Sequence, residues 1–116
     1  MPEAVLRQGA PEFVDYTPSA GNIAAGQVIA LANTGIGCLI AHQDITNNIL
    51  GAVAIGGGVY DVTMLTNIAP YARVYWDDTN NKVVTTSTLP LFGYLIEGNT
   101  GTNTVVKALH KPYQAT

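Results

Sequence analysis

Clusters of turn-forming residues interrupt this chain about every ten residues, a rhythm that leaves room for short strands but not for ordinary helices. Asn33-Thr34-Gly35, Asp44 to Asn48, Gly56-Gly57-Gly58, Asp77 to Asn81 and Glu97 to Asn103 are the clearest breaks. Between and around them lie apolar, β-branched or aromatic runs: Gln27 to Leu31, Ile36 to Ala41, Leu50 to Ile55, Val59 to Leu65, Arg73 to Trp76, Lys82 to Thr86, Leu91 to Ile96 and Thr104 to Leu109. No window carries a sustained helical apolar period capped at both ends. A single helical turn at Thr66 to Ala72 or at Asp44 to Ile49 is the most helix the pattern allows. The expected fold is all-β: a compact antiparallel β-sandwich or small barrel of about eight short strands.

The strongest local signal is Val74-Tyr75-Trp76-Asp77-Asp78-Thr79-Asn80-Asn81-Lys82-Val83-Val84. Tyr, Trp and Val suit a pleated, half-buried surface. Asp and Asn form local side-chain turns and tolerate left-handed backbone, so they suit the tip of a hairpin. Trp76, the only tryptophan, is expected in the core or in a subunit interface.

The first twenty-one residues differ in texture from the rest. Pro2, Pro11 and Pro18 oppose helix and central strand alike. The organisation expected is therefore an extended N-terminal arm at 1–21, a β-sandwich or barrel domain at 22–109, and a C-terminal tail at 110–116. The apolar residues of the arm, Val5, Leu6, Phe13, Val14 and Tyr16, are too few for a core but suited to docking. With Tyr113 of the tail they are the candidate interaction residues. Such an arm is expected to be loosely ordered alone and to order on its partner.

Charge limits what the surface can do. Asp, Glu, Lys and Arg make up 11% of the chain and apolar residues 47%, where about 25% charged is usual. Neutral polar residues and leftover apolar ones must cover the surface, as in chains that assemble permanently with neighbours. The net charge is −3 with no Lys/Arg cluster, so no nucleic-acid partner is expected. No apolar run approaches the ~18 residues of a membrane helix. Met1 to Val5 has no basic region or apolar run, so no export signal is expected.

Residues suited to catalysis or metal binding are sparse. Cys38 is the only cysteine, which forbids an internal disulfide and fits a small buried side chain in a reducing compartment. Ser19 and Ser87 lie outside any nucleophile elbow. His42 reads as a strand-end or loop histidine, and His110, beside Lys111-Pro112, as an exposed one. Two histidines and one cysteine without a short-spacing pair make no zinc site. Gly51 and Gly56 have the spacing of a phosphate loop, but Gly57 and Gly58 stand where its Lys and Ser/Thr belong. A tight turn or a bulge is the better reading there. Asp77 to Asn81 carries enough oxygen for a weak cation site but reads better as a hairpin tip. Asp61 with Asp44 would be an acid–base pair only if a pocket joined them. No enzyme activity, cofactor or metal is expected.

Several segments together resemble a known family: Gly58-Val59-Tyr60-Asp61-Val62, Ala72-Arg73-Val74-Tyr75-Trp76-Asp77-Asp78-Thr79-Asn80-Asn81-Lys82-Val83, Phe92-Gly93-Tyr94-Leu95-Ile96-Glu97 and Thr104-Val105-Val106-Lys107-Ala108-Leu109. Their order and spacing, over roughly Gln27 to Leu109, are similar to those of the capsid cement, or head decoration, proteins of tailed bacteriophages. Leu6-Arg7-Gln8-Gly9 is a loose counterpart of the short entry motif of that family. The resemblance implies a structural protein made in the bacterial cytoplasm that binds the outer surface of the head. There it would clamp neighbouring major-capsid subunits of the expanded shell, commonly as a homotrimer. The alternative is a carbohydrate-binding or adhesion module of a phage tail or bacterial surface, with Tyr60, Tyr71, Tyr75 and Trp76 as stacking platforms.

Overall fold

The computed structural model describes residues 3–31, 36–96 and 104–113. They form eight strands: β1 (Val5–Tyr16), β2 (Val28–Ala30), β3 (Cys38–Ala41), β4 (Gly51–Met64), β5 (Arg73–Asp77), β6 (Lys82–Val84), β7 (Leu91–Leu95) and β8 (Thr104–His110). The sheet runs β2-β3-β4-β6-β5-β7-β8, and β8 pairs back onto β4. That second pairing closes β4, β6, β5, β7 and β8 into a five-stranded barrel. The two remaining partners of β4, β1 and β3, lie outside it, with β2 on β3. The expected all-β class is observed, and closure decides for the barrel. All pairings are antiparallel except β4–β6, a single parallel contact at Met64 and Val83.

β4 organises the molecule. Leu50 to Ile55 and Val59 to Leu65, expected as separate strands, are largely one strand with a bend. Gly56 and Gly57 have φ of 155° and 103°, which residues with a Cβ rarely adopt, so the triplet is a bulged corner and not a turn. The two halves then serve different neighbours. Val53 and Ala54 pair with β3, while Val59 to Met64 pair with β8. Tyr60, Val62 and Met64 point inward and Val59, Asp61 and Thr63 outward, the period-two alternation of a barrel wall.

The barrel core holds Trp76, Tyr60, Phe92, Met64, Leu95 and the neighbouring valines, with Cys38 and Ile40 contributed by β3. A satellite cluster of Ile29, Leu39, Ala41, Ile45 and Val53 lies under β2 and β3. The β5–β6 hairpin forms as its sequence requires. Trp76 pairs with Val83 and Asp77 with Lys82. Asp77 Oδ1 accepts hydrogen bonds from the backbone of Thr79 (3.0 Å) and Asn80 (3.3 Å), and Asn81 takes φ of 57°. Neither Thr66 to Ala72 nor Asp44 to Ile49 is helical. The turn expected at Asn33-Thr34-Gly35 and the loop expected at Glu97 to Asn103 lie outside the described residues.

Two placements differ from expectation. His110 is fully buried, not exposed. β8 continues to it, Gly93 pairs with it, and it follows Val106 and Ala108 on the inward face. The stretch read as a loose arm is extended, but from Val5 to Tyr16 it runs antiparallel along β4. Pro11 is tolerated there because β1 is an edge strand, where a missing N–H costs no ladder bond.

Candidate functional site

β1 is a strand without a buried face. None of its twelve residues is fully buried, and only Val5, Pro11 and Tyr16 are partly so. Leu6, Phe13 and Val14 are 36%, 47% and 38% exposed. Among the described residues β1 pairs with β4 alone, so its outer edge presents backbone donors and acceptors to a partner. A long edge with exposed apolar side chains is what soluble proteins normally avoid or cover.

The sequence-derived candidates fall into two groups along this strand. Val5 and Leu6 pair with Asp61 and Tyr60 beside the barrel wall. Phe13, Val14 and Tyr16 pair with Ala54, Val53 and Gly51, beyond the glycine bend. Tyr16 packs on the satellite cluster. Tyr113 comes from the other end of the chain, yet its ring lies on the backbone of Gly56, which pairs with Glu12. The structure thus brings Tyr113 to the Phe13 half of β1. Ile49 and Leu50, 57% and 65% exposed, extend the apolar surface past Tyr16. Sequence reasoning missed them because they read as part of a loop and a strand start.

Three interactions beyond the ladder seat β1. Arg7 Nε donates to Asp61 Oδ2 at 2.6 Å, and Lys107 Nζ lies 4.0 Å from the other carboxylate oxygen. The Ala4 amide donates to the Gly26 carbonyl at 3.0 Å. The Phe13 ring meets the His42 ring edge to face, centroids 5.0 Å apart. His42 in turn shares a 2.6 Å hydrogen bond between Nε2 and the Tyr60 hydroxyl. A groove of about 220 Å³ lies here, lined in part by Val5, Leu6, Gly26, His42 and Tyr60.

The rings continue inward from Tyr60 to His110, Phe92 and Trp76, each within 6.0 Å of the next. His110 Nε2 donates to the Cys38 carbonyl at 2.9 Å, which fixes the proton on that nitrogen, and Nδ1 is buried without a partner. Burial pushes the His110 pKa down to about 4, against its bond to Cys38 and with a smaller contribution from His42. Burial also lowers His42 and raises Tyr60 and Cys38, the last with help from Asp78.

The remaining polar candidates have structural partners. Asp44 accepts from the Ala25 amide, and Asp61 holds Arg7, so the two do not form an acid–base pair. Both oxygens of Asp77 accept hydrogen bonds within the hairpin tip, and the Asn80 side chain holds its carboxyl below the usual range. Among the described residues no group of three His, Cys, Asp or Glu is placed to hold a metal. Tyr60, Tyr75 and Trp76 are buried, which leaves only Tyr71 of the four proposed stacking rings in solvent. Among the described residues no helix is long and apolar enough to cross a membrane.

No curated protein and no solved structure matches the chain. A family model described as Phage cement protein matches residues 8–110. That span begins within β1, ends at the buried His110 and takes in the whole barrel. On that match, the chain belongs to the phage cement protein family, a family of structural capsid components.

Proposed function

We propose that this protein sits on the outer surface of a tailed-phage head and clamps neighbouring major-capsid subunits, stabilising the expanded shell. The observation that carries the reading is β1, a twelve-residue edge strand that buries none of its side chains fully and exposes Leu6, Phe13 and Val14. An extended segment of a capsid subunit can add to that edge. Main-chain hydrogen bonds supply affinity, and alternate side chains set the register. The contact residues in this reading are Val5, Leu6, Phe13, Val14, Tyr16 and Tyr113. A homotrimer would offer three such edges to a shell of repeated subunits, and simultaneous engagement raises the effective concentration of the second and third. The chain is made in the host cytoplasm, where a lone cysteine stays reduced, and it joins the head there.

The test is to titrate purified heads with the protein and follow binding by co-sedimentation and electron microscopy. Saturable density at fixed lattice positions on the outside of the shell, abolished by combining Phe13→Asp with Val14→Asp, is the expected result. Heads that stay bare at saturating protein, or binding that ignores both substitutions, would overturn it.

A further inference from the structure

Phe13 is the largest exposed side chain of β1, and the strand itself does little to hold it. The Cα partner of Phe13 on β4 is Ala54, and Ala54 pairs on its other side with Ile40 of β3. Ala54 is too small to wedge a ring. The support comes from further away. His42, two residues beyond Ile40, meets the Phe13 ring at 5.0 Å with an interplanar angle of 80°. His42 follows the last residue of β3, so no ladder orients it; the 2.6 Å hydrogen bond to Tyr60 does. Tyr60 is almost completely buried in the barrel wall, paired with Leu6 on one side and Ala108 on the other. The barrel therefore reaches through Tyr60 and His42 to an aromatic ring on its outermost strand.

We infer that His42 is a positioning residue: backed by Tyr60, it holds Phe13 in the outward pose in which that ring meets its partner. The inference rests on the docking reading of β1. Interfaces concentrate affinity in a few aromatic anchors, and an anchor ordered before binding loses less entropy on binding. Partial burial lowers the proton affinity of His42, which keeps the ring neutral near pH 7.

The experiment has two parts. In the first, head binding is titrated for the wild type, Phe13→Ala, His42→Ala, His42→Phe and the Phe13→Ala/His42→Ala double variant, with urea midpoints measured alongside. Phe13→Ala should weaken binding roughly tenfold or more. His42→Ala should weaken it about three- to tenfold, the scale of one edge-to-face pair. The double variant should bind no more weakly than Phe13→Ala, and His42→Phe, which returns a ring to the contact, should recover most of the loss. In the second part, the Phe13 ring resonances of the free protein should titrate with the midpoint of His42. Wild-type binding that survives His42→Ala unchanged, losses that multiply in the double variant, or Phe13 resonances blind to His42 would overturn the inference alone. A wild-type protein that does not bind heads overturns the docking reading, and this inference with it.

Discussion

Gly9 of β1 and Gly57 of β4 meet backbone to backbone where the two strands bend together: a Cβ on Gly9 would lie 2.7 Å from the Gly57 carbonyl oxygen. Gly9 also has φ of 88°. The bend carries β1 from the barrel wall at Val5 to the satellite cluster at Tyr16. Gly9→Ala should cost roughly 1–3 kcal/mol through strain and the close approach. Hydrogen exchange should quicken along β1 and remain slow in β5 to β8. Unchanged exchange on β1 would mean that the strand tolerates a side chain at its bend.

Trp76 is fully buried against Phe92, and its Nε1 donates to Asp78 at 3.2 Å. Trp76→Ala should destabilise the fold by about 3–5 kcal/mol, measured by urea denaturation. Asp78→Asn keeps an oxygen acceptor for the indole and should stay within about 1 kcal/mol of the wild type.

His110 makes stability depend on pH. Its folded pKa of about 4 lies below the 6.5 of an ordinary histidine, so between these values the unfolded chain binds more protons. Stability therefore rises with pH through that window, is complete above it, and is lost as pH falls toward 4. The full difference is of order 3 kcal/mol. Urea midpoints at pH 7, 5.5 and 4 should fall steadily for the wild type. They should fall less for His110→Gln, which keeps a donor for the Cys38 carbonyl. Equal slopes would assign the acid sensitivity to other groups.

The Arg7–Asp61 pair ties β1 to the barrel at its first half. Arg7 is 53% exposed and Asp61 15%, so solvent and salt weaken the pair. Asp61→Asn should cost no more than about 1 kcal/mol in global stability. It should loosen β1 locally, and the wild-type strand should loosen in the same way at high salt. Protease cleavage near Arg7 at low and high ionic strength is a direct readout.

Some of this molecule was legible residue by residue. Trp76, Val83 and the Asp77 to Asn81 tip lie within one hairpin, so turn chemistry and β-propensity decide them locally. The missing lysine after Gly56 and the single cysteine set chemical limits that no folding alters. The inward alternation Val106, Ala108, His110 was also present, but the neighbouring Lys111-Pro112 made His110 look exposed.

What the sequence determined by itself was the strand rhythm, the all-β class, the hairpin and the family resemblance, because each depends on neighbours in the chain or on the order of short motifs. Only the tertiary structure decided that Gly56 to Gly58 bends one strand instead of ending it, that β8 returns to β4 to close a barrel, and that Val5 to Tyr16 is an edge strand. It alone brought Phe13, His42 and Tyr60 together. These are pairings between distant residues, and they are settled by which backbone edges and apolar faces remain to be satisfied once the local elements exist.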